Sequence, residues 1–265
     1  MMRRPLIGLN MSMNLIDRSE KFDFLISADY VNAVVRAGGA PLCVPSYTDM
    51  TMLDGVLARL DGFVFIGGDD YRPENYGGRP QRENDLMPER RDRFDLELAK
   101  KILQETRLPV LGVCGGHQLI SIAQGGALIQ DIGTEWSSLE NRNPLPHSGK
   151  ERQDEEKNPF RHPVRLGKDS LIAQVTMPLR DDTLMTNSHH HQAVHPHRVG
   201  FHLRPSAWTE DGVIEAIEPA VDSPWAQTRR FVLGVQWHPE RMQDDEPHQN
   251  LFRALVKAAQ DMRWH

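Results

Sequence analysis

Residues 109–132 read PVLGVCGGHQLISIAQGGALIQDI, and the rest of the chain is arranged around them. Val110, Leu111 and Val113 form a short apolar run that breaks at Cys114-Gly115-Gly116. Leu119, Ile120, Ile122 and Ala123 then recur at helical spacing until Gly125-Gly126 stops them. The pattern predicts a buried strand, a tight turn and a helix. Such a turn exposes the residue at its apex, as in the nucleophile elbow of hydrolases. That residue is Cys114, at the positive end of the following helix, where the dipole favours a thiolate. Gly115 and Gly116 let the turn be sharp and let a substrate approach the backbone. A cysteine inside Gly-x-Cys-x-Gly-x-Gln reads as a nucleophile rather than as a buried strand-end thiol.

Upstream, strands and helices alternate. Leu6–Leu9 is a first strand, Tyr30, Val31, Val34 and Val35 mark a helix closed by Gly38-Gly39, and Leu42–Val44 is a second strand. A short helix over Leu53–Leu57 leads to a third strand, Phe63–Ile66, which runs into Gly67-Gly68-Asp69-Asp70. Uniformly apolar strands between helices imply a parallel sheet buried on both faces. Open sheets of this kind bind ligands at the carboxyl ends of their strands. The Gly68 backbone N–H is therefore a candidate oxyanion donor beside that of Gly115. Asp92–Leu103 is amphipathic, and its charges read as a solvated face.

Downstream, Leu139–His162 is polar and charged and reads as a long mobile loop near the active-site edge. It is not a linker, because strands of the same fold follow: Val164–Leu166, Thr183–Thr186, and an antiparallel pair, Phe201–Trp208 and Val213–Ile217. Five of the twelve histidines lie between residues 189 and 197. With no Cys pair, no His-Glu-x-x-His and no evident carboxylate beside them, they line a pocket or lie on the surface, and no metal is expected. The last strong strand, Phe231–Gln236, ends in Trp237-His238-Pro239-Glu240. It brings an imidazole and a carboxylate to the sheet edge that carries Cys114: a base for the thiol, and a third group to orient the base.

Length and composition set outer bounds. At 265 residues the chain fits one large α/β domain, 1–265. Lys plus Arg number 31 against 37 Asp plus Glu, a formal charge of −6, so no nucleic-acid partner is expected. Two cysteines, Cys43 and Cys114, argue for a reducing compartment, and Cys43, within a short apolar strand, reads as a core thiol. No segment approaches the ~20 apolar residues of a membrane span. The expectation is a cytoplasmic protein with no membrane partner.

Gly112-Val113-Cys114-Gly115-Gly116-His117-Gln118, the Gly67-Gly68 loop and Gly234-Val235-Gln236-Trp237-His238-Pro239-Glu240 together resemble the class I glutamine amidotransferase fold. Gly125–Ile132, Gly67–Gly77 and Asn187-Ser188-x-His190-His191-Gln192-Ala193-Val194 narrow the resemblance to the gamma-glutamyl-gamma-aminobutyrate hydrolases of peptidase family C26. It runs from the first strand to the last helix. It implies a three-layer α/β/α, flavodoxin-like fold with a mostly parallel sheet and a small antiparallel extension. It also implies a cysteine hydrolase, with no cofactor, that cleaves γ-glutamyl amines to glutamate and amine in polyamine catabolism. Cys114 is then the nucleophile, His238 the base and Glu240 its orienting group, with Gly68 and Gly115 as the oxyanion hole. Gln118, Ser188, His190 and His191 would hold the small-molecule substrate. Gly115 stands where these hydrolases more often carry Arg, and His117-Gln118 is closer to domains that feed ammonia to a synthase. The alternative of a glutaminase subunit serving a separate synthase therefore stays open, as do the released amine and a homodimer.

Overall fold

The computed structural model describes residues 3–16, 21–81, 84–148, 160–176 and 182–262. Strand β1 (Leu6–Asn10) is followed by an antiparallel hairpin of β2 (Ser12–Leu15) and β3 (Phe22–Leu25). Helix α1 (Ala28–Arg36) starts at Ser27, whose hydroxyl accepts from the Asp29 N–H, the usual service of an N-cap serine. Then come β4 (Ala40–Val44), α2 (Met52–Leu57), β5 (Gly62–Phe65), α3 (Glu89–Glu105), β6 (Val110–Val113) and α4 (Gly115–Ala123). The second half contains β7 (Leu128–Ile129), α5 (Ile132–Glu140), β8 (Arg161–Leu166), α6 (Leu171–Thr176), β9 (Thr183–Asn187) and β10 (Ala193–Val194). It closes with β11 (Leu203–Trp208), β12 (Ile214–Pro219), α7 (Pro224–Gln227), β13 (Val232–Val235) and α8 (Glu246–Asp261).

Nine strands form one sheet in the order β4-β1-β5-β6-β13-β12-β11-β8-β9. The first five run parallel, and from β13 onward each neighbour is antiparallel. Alternate side chains feed two cores. Phe63, Phe65 and Val110 pack with Phe94, Leu98, Leu119 and Ile120 of α3 and α4 on one face. Val64, Leu111 and Val113 pack with Tyr30 and Val34 of α1 and with Leu251, Phe252 and Leu255 of α8 on the other. This is the α/β/α sandwich expected from uniformly apolar strands. Among the described residues, no helix is long and apolar enough to cross a membrane.

Three expectations need correcting. Cys43 is exposed, because β4 is the outermost strand of the sheet and its residues Leu42 and Cys43 have no covering layer. The charged face expected over Asp92–Leu103 is in part a buried one, since Asp92 and Asp95 are enclosed, as is Arg91 just before that stretch. The loop expected over 139–162 is shorter at both ends, since Leu139 and Glu140 close α5 and Arg161 and His162 open β8, and His147 within it is buried. Residues 149–159 lie outside the described residues.

Candidate active site

β5, β6 and β13 are consecutive strands in the sheet, and their carboxyl ends deliver Gly67-Gly68, Cys114 and His238 to one edge. Cys114 has φ 52° and ψ −110°, a conformation that side-chain-bearing residues rarely adopt and that a nucleophile elbow imposes. The helix behind it seats so tightly on the sheet that a Cβ at Gly116 would run into the Phe65 carbonyl oxygen. Glycine at 116 is therefore required for the elbow to close against β5.

His238 bridges the thiol and a carboxylate. Its Nδ1 lies 2.7 Å from Glu240 Oε1, which leaves Nε2 for the hydrogen bond with Cys114. Burial works against a charge on the ring, but Glu240 and then Cys114 raise its pKa to about 9. At neutral pH this favours the imidazolium form of His238. Asn187 clamps its backbone: the side-chain amide donates to the His238 carbonyl at 3.0 Å, and its oxygen accepts the His238 N–H at 2.8 Å. The Gln236 side-chain amide reaches Cys114 Sγ at 3.6 Å.

The Gly67-Gly68 loop faces the elbow. A Cβ added to Gly115 would come 3.4 Å from the Gly68 nitrogen, so the two N–H groups proposed for an oxyanion border one space. The first N–H groups of α4 have no intrahelical acceptor. The loop is held from below by residues missed in the sequence. Arg91 donates to the Gly67 carbonyl at 2.9 Å and to Ser12 Oγ at 3.2 Å, and pairs with Asp95 at 3.3 Å. Asn10 and Tyr71 also donate to Asp95. Burial raises the Asp95 carboxyl to about 6 against the pull of Arg91, Asn10 and Tyr71. The Gly67 N–H in turn donates to the Tyr30 hydroxyl at 3.1 Å. An Arg and an Asp four residues apart on a helix gave no hint that they face inward.

The four residues expected around the substrate divide. Gln118 lies with Cys114: its amide donates to Gln236 Oε1 at 3.2 Å and to the Gln192 carbonyl at 3.3 Å. Ser188 donates to the His147 carbonyl at 2.7 Å, so its hydroxyl holds the 141–148 segment. His190 is buried, with Nδ1 on the Gln192 carbonyl and Nε2 3.3 Å from Glu215. His191 bridges Asp70 at 3.1 Å and Asp131 at 3.3 Å, tying the Gly67–Asp70 loop to the start of α5. Those carboxylates are what raise its pKa, the Asp70 hydrogen bond most. His189, half-buried, lies edge-on to the His238 ring at 5.8 Å, and burial followed by Arg241 lowers it to about 4.

The sequence profile of the peptidase C26 family matches residues 5–240. The chain belongs to that family. Among its relatives, a glutamine amidotransferase-like protein of Rickettsia prowazekii is 30% identical, over 98% of this chain and 99% of its own. A Mycobacterium tuberculosis protein named as a glutamine amidotransferase is 34% identical, over 97% of this chain and 75% of its own. The gamma-glutamyl-gamma-aminobutyrate hydrolase of Escherichia coli O157:H7 is 30% identical over 90% and 87%. A Thermoplasma acidophilum protein named for GMP synthase superposes with a TM-score of 0.61 at 15% identity, covering 100% of this chain and 98% of its own. That likeness confirms the fold, and the family makes this C26 chain an enzyme of the γ-glutamyl hydrolase or glutamine amidotransferase-like kind.

Proposed function

We propose that the chain hydrolyses the γ-amide of γ-glutamyl amines to glutamate and free amine through a glutamyl thioester on Cys114. The observation that carries this reading is the Cys114–His238–Glu240 chain of contacts at the carboxyl edge of the sheet. With His238 already charged, Cys114 attacks as the thiolate, and the carbonyl oxygen becomes an oxyanion facing the Gly68 and Gly115 N–H groups. The His238 imidazolium gives its proton to the amine nitrogen as the C–N bond breaks. Water then loses a proton to neutral His238 and adds to the thioester. The C–S bond breaks, releasing glutamate and restoring the thiolate. Glu240 holds the ring in the required tautomer throughout.

The amines we favour are small ones of polyamine breakdown, such as γ-aminobutyrate, because relatives at similar identity carry that substrate in their names. A second reading, a glutaminase subunit feeding a synthase, is favoured by relatives named for glutamine amidotransferases. Glutamate release by the purified chain from γ-glutamyl-γ-aminobutyrate and from glutamine separates the two. The hydrolase reading expects the first substrate to have the higher kcat/KM, by ~10–200-fold, the range set by small pocket differences. A higher value for glutamine, or turnover only with an added synthase, transfers the assignment to the subunit reading.

A further inference from the structure

Next to the catalytic edge, one strand further along the sheet, three imidazoles converge on a carboxylate that the hydrolytic chemistry does not use. Glu215 lies on β12, and its carbonyl accepts the Gln236 N–H. Its side chain is fully enclosed. Around Glu215 Oε1 stand His190 Nε2 at 3.3 Å, His147 Nδ1 at 3.6 Å and His162 Nε2 at 3.8 Å. All three rings are at least nine-tenths buried. None of these nitrogens makes a hydrogen bond, and neither oxygen of Glu215 does. Orphaned polar atoms at this density are rare in a folded interior and call for an explanation.

The outer nitrogens show which way the protons lie. His147 Nε2 is 3.1 Å from Asp211 Oδ2, and His190 Nδ1 is 2.9 Å from the Gln192 carbonyl. Both partners only accept, so both outer nitrogens carry hydrogen. In neutral rings the inner nitrogens then present lone pairs to a carboxylate, which is repulsive unless a cation lies between them. A carboxylate on the far nitrogen of His147 and a backbone carbonyl on that of His190 are the kind of outer partner that metal-bound histidines have, while neither nitrogen of His162 has a hydrogen-bond partner.

The spacing fits a small tetrahedral ion. Zinc bonds nitrogen at ≈ 2.0–2.1 Å and carboxylate oxygen at ≈ 2.0–2.2 Å, which puts neighbouring ligand atoms roughly 3.4 Å apart. The distances of 3.6 and 3.8 Å from His147 and His162 to Glu215 lie near that value. Ligand atoms of His147, His162 and Glu215 all lie within 4.8 Å of one another. We propose that His147, His162 and Glu215 form a zinc site, with His190 beside it against Glu215. Two imidazoles with one carboxylate and no thiolate suit zinc among the divalent metals. The ion joins β8, β12 and the 141–148 segment, and His190, on Glu215 at one nitrogen and on the Gln192 carbonyl at the other, links them to the loop that carries Gln192. Gln192 in turn holds Gln118 beside Cys114, so the site steadies the catalytic edge without touching the reacting atoms.

The test is metal binding by the full-length chain, read without reference to turnover. Protein stripped with chelator and reloaded with zinc is desalted, and its metal content is measured, in parallel with X-ray absorption at the zinc edge. The expected result is one zinc per chain, equally in Cys114→Ala, with only nitrogen and oxygen neighbours and a raised thermal midpoint. Glu215→Gln and, separately, His162→Asn weaken retention at least tenfold, while His195→Ala does not. If Glu215→Gln fails to fold, the absorption spectrum of the unaltered chain and His162→Asn still decide. Sulfur in the zinc shell, loss of zinc in Cys114→Ala, retention unaffected by His162→Asn, or no zinc retained and no thermal shift would each overturn the proposal.

Discussion

Glu240 Oε1 lies 2.7 Å from His238 Nδ1, although the two residues are separated in the chain only by Pro239. Pro239 opens a short 3-10 turn that swings Glu240 back under the imidazole, and Asn187 pins the His238 backbone from the other side. The ring is therefore fixed by contacts that do not depend on substrate. Its orientation is part of the fold.

The pH profile should report that arrangement. Because His238 has a pKa raised to about 9, its imidazolium persists through neutrality and is lost as pH rises through about 9. The kcat/KM for γ-glutamyl substrate should fall on that basic limb, where the acid for the leaving amine disappears. In Glu240→Gln the limb should move toward neutral pH, with a loss of roughly 10²–10⁴ in kcat, whereas Cys114→Ala loses roughly 10⁴–10⁶. An unmoved basic limb in Glu240→Gln would remove Glu240 from the orienting role.

Arg91 ties the Gly67-Gly68 loop to the core. Arg91→Met should leave the enclosed Asp95 without its cation and cost about 3–5 kcal/mol. In a chain of this size that lowers the thermal midpoint by roughly 5–15 °C. Adding Asp95→Asn should recover part of the stability, yet kcat should stay depressed because the Gly67 carbonyl is still released. Recovery of both together would make the pair a packing element only.

Those two predictions rest on residues that differ in how far the sequence exposed them. Cys114, His238 and the Gly67-Gly68 loop were legible because each ends an apolar strand, and strand ends in an alternating α/β chain share one edge. Arg91 and Asp95 were not, since a charged i,i+4 pair looks the same on a solvated face as in a core. Helix α5 was missed although it carries a start signal: Asp131 accepts the Thr134 N–H, and Glu135 reaches back to the Gln130 and Asp131 N–H groups. Ile132 and Trp136 are its only buried residues, too few to register as a period. Glu215 was hidden for another reason. Its histidine partners lie 25 to 68 residues away along the chain, and antiparallel pairing of β8, β11 and β12, not local pattern, brings His162 near it.

His191 should make stability pH-dependent. Its pKa is raised, chiefly by the Asp70 hydrogen bond and with help from Asp131, while burial opposes the shift. A raised pKa means that the bridge stabilises fully below the unfolded value of about 6.5 and stops doing so as pH rises through the folded value. The thermal midpoint of His191→Gln should therefore lie furthest below that of the unaltered chain near pH 6, and the gap should narrow by about pH 9. Parallel midpoint curves for the two proteins would show that the bridge carries no net charge effect.

The two thiols should separate by consequence rather than by access. Cys43 is exposed on the edge strand β4, while Cys114 is buried against His238. With a small alkylating agent such as iodoacetamide, both can label, so total incorporation is uninformative. In a Cys43→Ser chain, activity should fall in direct proportion to label on Cys114, reaching zero at one equivalent. Glu240→Gln should slow that labelling, because the imidazolium that balances the thiolate is less stable without its carboxylate. Alkylation of Cys43 in Cys114→Ala should proceed at the same rate with or without Glu240→Gln. If activity survived full labelling of Cys114, that thiol could not be the nucleophile, and the hydrolytic mechanism would have to be abandoned.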